Sequence, residues 1–198
     1  MIETIKRNQY QILVENFPDL QYIQSIILNT KRNLWESKIN SDDFLNVRLG
    51  FGTIPLKVKL NYSEEKFTLL EDILKDKLKE LIAESKYIQS CPITINLTDR
   101  NKLALDNNYY RHEMLKNILL QLATFYSYND LKFVFMINND TDTIWQNVKI
   151  LPHVWSDNKD IRLFANNYEE MTKISFYLEQ VYMNRKYSDN DGKIIYFL

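Results

Sequence analysis

Apolar residues recur at helical spacing through the first forty positions and at strand spacing soon after. Ile5, Ile12 and Leu13 lie on one helical stripe. Phe17-Pro18-Asp19 interrupts it, and Pro18 suits the first turn of a second helix, where a missing N–H goes unneeded. Leu20, Ile23, Ile26, Ile27, Leu34 and Trp35 then continue at a period near 3.6. The pattern reads as an amphipathic hairpin packed on its own domain; a stalk reaching towards another domain is the second reading. Ser41-Asp42-Asp43 marks a boundary. The expected organisation is a helical, stalk-like segment over 1–40 and an α/β domain over 41–198.

Past that boundary, Val47-Arg48-Leu49 reads as a short strand and Gly50-Phe51-Gly52 as a turn. Ile54 to Leu60 alternates apolar and basic residues, as a half-exposed strand does. Pro55 has no N–H, so this strand begins there or lies at an edge. Leu70, Ile73, Leu74, Leu78, Leu81 and Ile82 give one face of a helix over about 67–86, with Glu71 and Lys75 paired at i,i+4. From Pro92 strands and helices alternate: strands at 93–97, 102–105, 131–137, 161–165 and 194–198, helices at about 109–126 and 167–186. The run Leu131–Ile137 is nearly all apolar, the signature of a strand covered on both faces. Strands separated by helices of this length imply crossovers and a largely parallel sheet flanked by helices, an α/β fold. The apolar strand at the end of the chain suggests a piece of something longer.

Composition narrows the function. Lys plus Arg number 25 against 26 Asp plus Glu, so no broad field draws the chain to nucleic acid or an acidic membrane. Cys91 is the only cysteine, which excludes an internal disulfide. With it stand only two histidines, His112 and His153, and no zinc framework emerges. Nowhere do about eighteen apolar residues run together, so no membrane span is expected.

In an open α/β sheet, ligands lie beyond the carboxyl ends of the strands. A phosphate-binding turn there needs glycines so that amides close around the anion, then a Lys for the β/γ-phosphates and a Ser or Thr for magnesium. The turn after the strand expected at 102–105 reads Asp106-Asn107-Asn108-Tyr109-Tyr110-Arg111-His112-Glu113 and has none of these residues. The three glycines are Gly50, Gly52 and Gly192, all elsewhere. The usual phosphate-loop route to ATP hydrolysis has no residues to run on. Arg111 is a weak candidate for touching an anion, and Asp140, in Asn138-Asn139-Asp140, a weak candidate for a metal; both are ordinary solvent or turn residues otherwise. His153, in Leu151-Pro152-His153-Val154-Trp155, has no nucleophile or acid in its sequence neighbourhood and reads as structural. Trp145, Trp155, Tyr109 and Tyr110 read as core or rim packing before they read as a stacking platform.

Several strings carry a resemblance when taken in order. They are Asp43-Phe44-Leu45-Asn46-Val47-Arg48-Leu49-Gly50-Phe51-Gly52-Thr53-Ile54-Pro55-Leu56, Pro92-Ile93-Thr94-Ile95-Asn96-Leu97, the run Gln121 to Lys132, Trp145, Leu151-Pro152-His153-Val154-Trp155, and Ile161 to Asn167. Across residues 34–186 this series resembles the EssC/EccC-type ATPases of type VII (ESX) secretion, members of the FtsK/SpoIIIE family. The chain departs from that pattern at Leu105–Asn108, where the family often has glycine, and at Ile150, where it often has tryptophan.

The resemblance implies a cytosolic domain between the transmembrane helices and the tandem motor ATPases, on the cytoplasmic side of the membrane. It implies a RecA/FtsK-like fold with a degenerate nucleotide site, no cofactor and no catalytic residue. Its partners would be the other domains of an oligomeric motor and the membrane components of the secretion system, with no nucleic acid. The expected role is coupling, with Asp106, Asn107, Asn108, Arg111, Asn138 and Asp140 as the docking surface. A nucleotide-binding regulatory domain, with Arg111 on the phosphate and Asp140 on the metal, is the alternative. A small hydrolase built on His153 is the third.

Overall fold

A computed structural model of the chain describes residues 2–29, 33–41, 43–58, 77, 80, 83, 86–99, 103–105, 110–138, 143–187 and 194–197. Two helices open it, α1 (Ile2–Asn16) and α2 (Leu20–Leu28). Asp19 is the N-cap of α2, its carboxylate accepting from the Tyr22 amide at 2.8 Å. Pro18 therefore stands just before the helix, where the sequence had placed it in the first turn. The helix also ends earlier than its apolar stripe suggested, so Leu34 and Trp35 lie beyond it. Ile23 and Ile26 are buried where α2 packs on the third helix, and α1 rests against the second strand.

Strands β1 (Asn46–Pro55) and β2 (Tyr87–Asn96) form an antiparallel ribbon. The turn expected at Gly50-Phe51-Gly52 is absent: β1 runs through both glycines, and Pro55 ends the strand. The glycines mark two shifts of register instead, between Arg48 and Gly50 and between Gly52 and Ile54. Gly52 has a packing reason: a Cβ there would lie 2.9 Å from Cγ1 of Ile93. Of the helix expected over 67–86, Lys77, Glu80 and Ala83 are helical and most of the span lies outside the described residues.

The second half holds α3 (Arg111–Phe125), β3 (Leu131–Met136), the short α4 (Thr143–Val148), β4 (Phe164–Ala165), α5 (Tyr168–Tyr187) and β5 (Ile194–Phe197). The sheet is parallel, in the order β4-β3-β5. β3 takes the centre, as its apolar run requires, and Leu131, Phe133, Val134 and Phe135 are wholly buried. The α/β reading holds in this half, but the largely parallel sheet does not extend to the ribbon. Leu103, Ala104 and Leu105, expected within a strand, carry no strand. The strand expected at 161–165 is reduced to Phe164–Ala165.

Two cores result. One fills the space between ribbon, α3 and β3, with Leu45, Val47, Leu122, Phe133 and Phe135 at its centre. A smaller one joins β3 and β4 to α5 through Val134, Leu163, Ala165 and Ile174.

The end of α3 ties these parts together. A helix leaves its last carbonyls without intrahelical partners, and each must find another donor. Ala123 O receives the Trp35 indole N–H at 3.1 Å, Thr124 O the Trp35 amide at 2.9 Å, and Phe125 O the Ser37 amide at 3.1 Å. The Tyr126 hydroxyl accepts from the buried Leu45 amide at 2.8 Å, and its ring meets Phe44 edge-on. One turn earlier, the Gln121 amide takes both main-chain groups of Arg48, accepting from N and donating to O at 2.8 Å each. Gln9 of α1 treats the far end of β1 likewise, accepting from Lys57 N at 3.0 Å and donating to Pro55 O at 3.4 Å. Two glutamine side chains thus substitute for a neighbouring strand at either end of an edge.

Tyr126→Phe keeps the ring and orphans the buried Leu45 N–H. Equilibrium denaturation should show a loss of about 1–3 kcal/mol, the cost of an unsatisfied buried donor.

Candidate functional site

The docking surface expected from the sequence is only partly within the described residues: Asp106, Asn107, Asn108 and Asp140 lie outside them. Arg111 is the first residue of α3, exposed, with Nε donating to Nε2 of His112 at 3.1 Å. Tyr110 occupies the N-cap position without a side-chain cap bond, and Lys116 pairs with Glu113 at 2.7 Å. Because residues 103–105 are not a strand, no described sheet strand leads into this helix. That differs from the strand–turn–helix expected there. Asn138 is exposed two residues past the carboxyl end of β3, where the sequence placed it.

At the carboxyl end of β4 the chain turns into α5 and caps itself. Asn167 Oδ1 accepts from the Glu170 amide at 2.9 Å, and the Glu170 carboxylate accepts from the Asn166 amide at 3.1 Å. This reciprocal arrangement engages the first-turn amide of Glu170 and the amide of Asn166 just before the helix, two donors that a bound anion would otherwise meet.

The opposite, amino-terminal end of the parallel sheet holds a buried polar group that sequence reading passed over. Lys132 lies in β3 with its side chain 4% exposed. Its ammonium meets an Asp157 carboxylate oxygen at 3.6 Å and lies 5.7 Å from the centre of the Tyr128 ring. His153 beside it is 1% exposed and stacks on Phe133 with ring centroids 5.0 Å apart. Its Nε2 is 2.8 Å from Tyr126 O, and since a carbonyl only accepts, Nε2 carries the proton. Nδ1 is buried with no hydrogen-bond partner among the described residues. Burial is the largest influence on the ring and lowers its pKa; the Tyr126 carbonyl opposes this, and Lys132 adds to it. His153 is thus a neutral, inward-facing group and the fourth contact on the end of α3.

Arg48 is the other buried cation among the described residues, 7% exposed. Nη1 donates to Phe17 O at 3.1 Å and the guanidinium covers the Phe51 ring at 3.9 Å. Burial disfavours its charge, and Asp19 and Tyr10 support it. Cys91 is fully buried and its thiol pKa is raised by that burial, which leaves little thiolate.

The strings that carried the resemblance therefore meet in space. Leu45 and Arg48 come from the first, Gln121 and Tyr126 from the third, and His153 from the Leu-Pro-His-Val-Trp run, joined by the bonds above. Comparison with known proteins agrees. No protein-family model matches the chain. Among curated proteins, the type VII secretion system protein EssC of Staphylococcus aureus (strain NCTC 8325 / PS 47) is 27% identical over 186 residues, 91% of this chain. The ESX secretion system protein YukB of Bacillus subtilis (strain 168) is 24% identical over 194 residues, 98% of this chain. The chain resembles type VII secretion proteins of the EssC and YukB kind. It spans 13% of the length of each of these relatives. No helix among the described residues is long and apolar enough to cross a membrane. Ile150, where the family often has tryptophan, is 79% exposed, so that departure changes a surface and not the core.

Sequence signals for the missed residues exist. Gln121 is a polar residue on the apolar face of α3, and Lys132 is a lone charge in an apolar strand. Both are places where a buried polar group must have partners.

Substitution should separate the two ends of the sheet. Arg111→Ala, at an exposed helix start, should move the unfolding free energy by no more than about 0.5 kcal/mol. Asp157→Asn, which removes a counter-charge from a buried ammonium, should cost about 1–3 kcal/mol in the same denaturation series.

Proposed function

We propose that the chain is a non-catalytic, ATPase-like coupling domain of a type VII secretion motor, placed on the cytoplasmic side between the membrane complex and the ATP-driven domains. The observation that carries this reading is similarity to EssC and YukB over 91% and 98% of the chain. The residues at 106–113 support it, because no glycine, lysine or small hydroxyl is present to hold a triphosphate and its magnesium. The self-capped start of α5 supports it further, since the amides of Asn166 and Glu170 are already engaged. A helix-flanked parallel sheet is compatible with a RecA/FtsK-like ancestry.

A domain without hydrolytic groups transmits change through interfaces whose packing differs between two states. The docking surface proposed is the one at Asp106, Asn107, Asn108, Arg111, Asn138 and Asp140, engaging a neighbouring domain of an oligomeric motor. Residues 1–40 face the membrane side.

The combined charge reversal Arg111→Glu and Asp140→Lys, in the full-length secretion protein, tests this surface. Export of secreted substrate should fall about fivefold or more, the low end of a coupling free energy, while ATP hydrolysis by the isolated motor domains is unchanged. Undiminished export would overturn the surface.

A further inference from the structure

We infer that His153 is a proton-sensitive latch: in its neutral form it holds the end of α3 to the parallel sheet, and protonation releases that end and loosens the ribbon attached to it. The inference concerns the folded chain itself and does not rest on a role in secretion.

The geometry leaves the ring one tolerable state. Nε2–H is spent on Tyr126 O, and Nδ1 is sealed away from solvent with no acceptor among the described residues. Protonating Nδ1 would create a buried donor without an acceptor among the described residues, and a buried charge beside the Lys132 ammonium. The groups around the ring make this worse. From β3 come the Phe133 face and the Lys132 ammonium; from the turn after α3 come the Tyr126 carbonyl and the edge of Tyr128. Beyond the ring, the loop after residue 155 supplies Asp157, which is engaged by Lys132, and Lys159, whose ammonium lies 5.7 Å from the Tyr128 ring centre. The Lys132 charge opposes a second proton on the imidazole, so a proton there is accommodated by the ring leaving its place.

What the ring releases is specific. Tyr126 O loses its donor, and Tyr126 is also the residue whose hydroxyl holds Leu45 N. The same helix end accepts the Trp35 and Ser37 amides, and Gln121 one turn earlier holds Arg48. The β3–β4 bonds, Phe135 N to Leu163 O and Ile137 N to Ala165 O, do not pass through this point. Release is therefore local: the junction opens while the parallel sheet persists.

The sign follows from linkage. The folded ring has a lowered pKa, so the native state binds fewer protons than the unlatched one. The latch is fully closed above the ordinary imidazole value of 6.5 and weakens as pH falls through and below it. One proton gives at most about a tenfold change per pH unit.

Amide hydrogen exchange on the intact chain tests this, read at pH 7.5 and 5.5 (about one unit either side of 6.5) and corrected for the intrinsic pH dependence of exchange. Protection of the Trp35, Ser37, Leu45 and Arg48 amides should fall by up to about tenfold at the lower pH, while Phe135 and Ile137 keep theirs. In His153→Gln, whose side-chain amide still donates but takes up no proton, the acid loss should vanish. Equal loss in that variant, or a His153 ring seen by NMR to titrate near 6.5 with the junction amides still protected, would overturn the latch. Should His153→Gln fail to fold, Lys132→Met supplies the second reading. Removing the neighbouring charge must move the midpoint of junction opening to lower pH, and an unmoved midpoint refutes the inference.

Discussion

Four carbonyls at the end of one helix organise this molecule. The last turn of α3 leaves Ala123, Thr124 and Phe125 without helical partners, with Tyr126 just beyond, and the chain meets that demand with donors from distant segments. Trp35 and Ser37 come from the stretch after α2, and His153 from the 3₁₀ turn before β4 (Pro152–Val154). To place its amide and indole correctly, Trp35 takes a φ of 59°, a strained value for so large a residue. The same helix reaches the ribbon through Gln121 and the Tyr126 hydroxyl. The described strands form two small sheets that share no strand, and polar bonds within an apolar core link them.

This arrangement explains why the strings behind the resemblance are spread over so much of the chain. The strings at 43–56, 121–132 and 151–155 contribute to the junction, and the donors and acceptors there are specific to residue type. Phe cannot replace Tyr126 without orphaning Leu45, and Ala cannot replace Gln121 without orphaning Arg48. The strand ends, by comparison, carry exposed side chains and turns that satisfy themselves, as Asn166, Asn167 and Glu170 do. Interaction surfaces have to be available, whereas a junction has to be complete.

The sequence told much about the second half and misled in the first. The apolar run at 131–137 announced a central strand because burial on both faces leaves no alternation, and α3 and α5 followed from their apolar stripes. The ribbon was harder. Gly50 and Gly52 signal a turn in most contexts, but here they accommodate register shifts and the close approach of Ile93. Leu103–Leu105 has the composition of a strand and pairs with no strand among the described residues. Of the expected docking residues, Arg111 and Asn138 sit exposed at element ends as the pattern indicated. Gln121 stood out on an apolar face, but the pairings of the junction were not legible, because side-chain hydrogen bonds between positions about eighty residues apart, such as Leu45 and Tyr126, leave no periodic trace.

The proposed role gives this chain no triphosphate chemistry of its own and leaves it to act through its surfaces and its junction. Isothermal titration of the folded chain with Mg-ATP tests that most directly. No saturable heat is expected at millimolar nucleotide; one-to-one binding in the low micromolar range, abolished by Arg111→Ala, would contradict the proposed role.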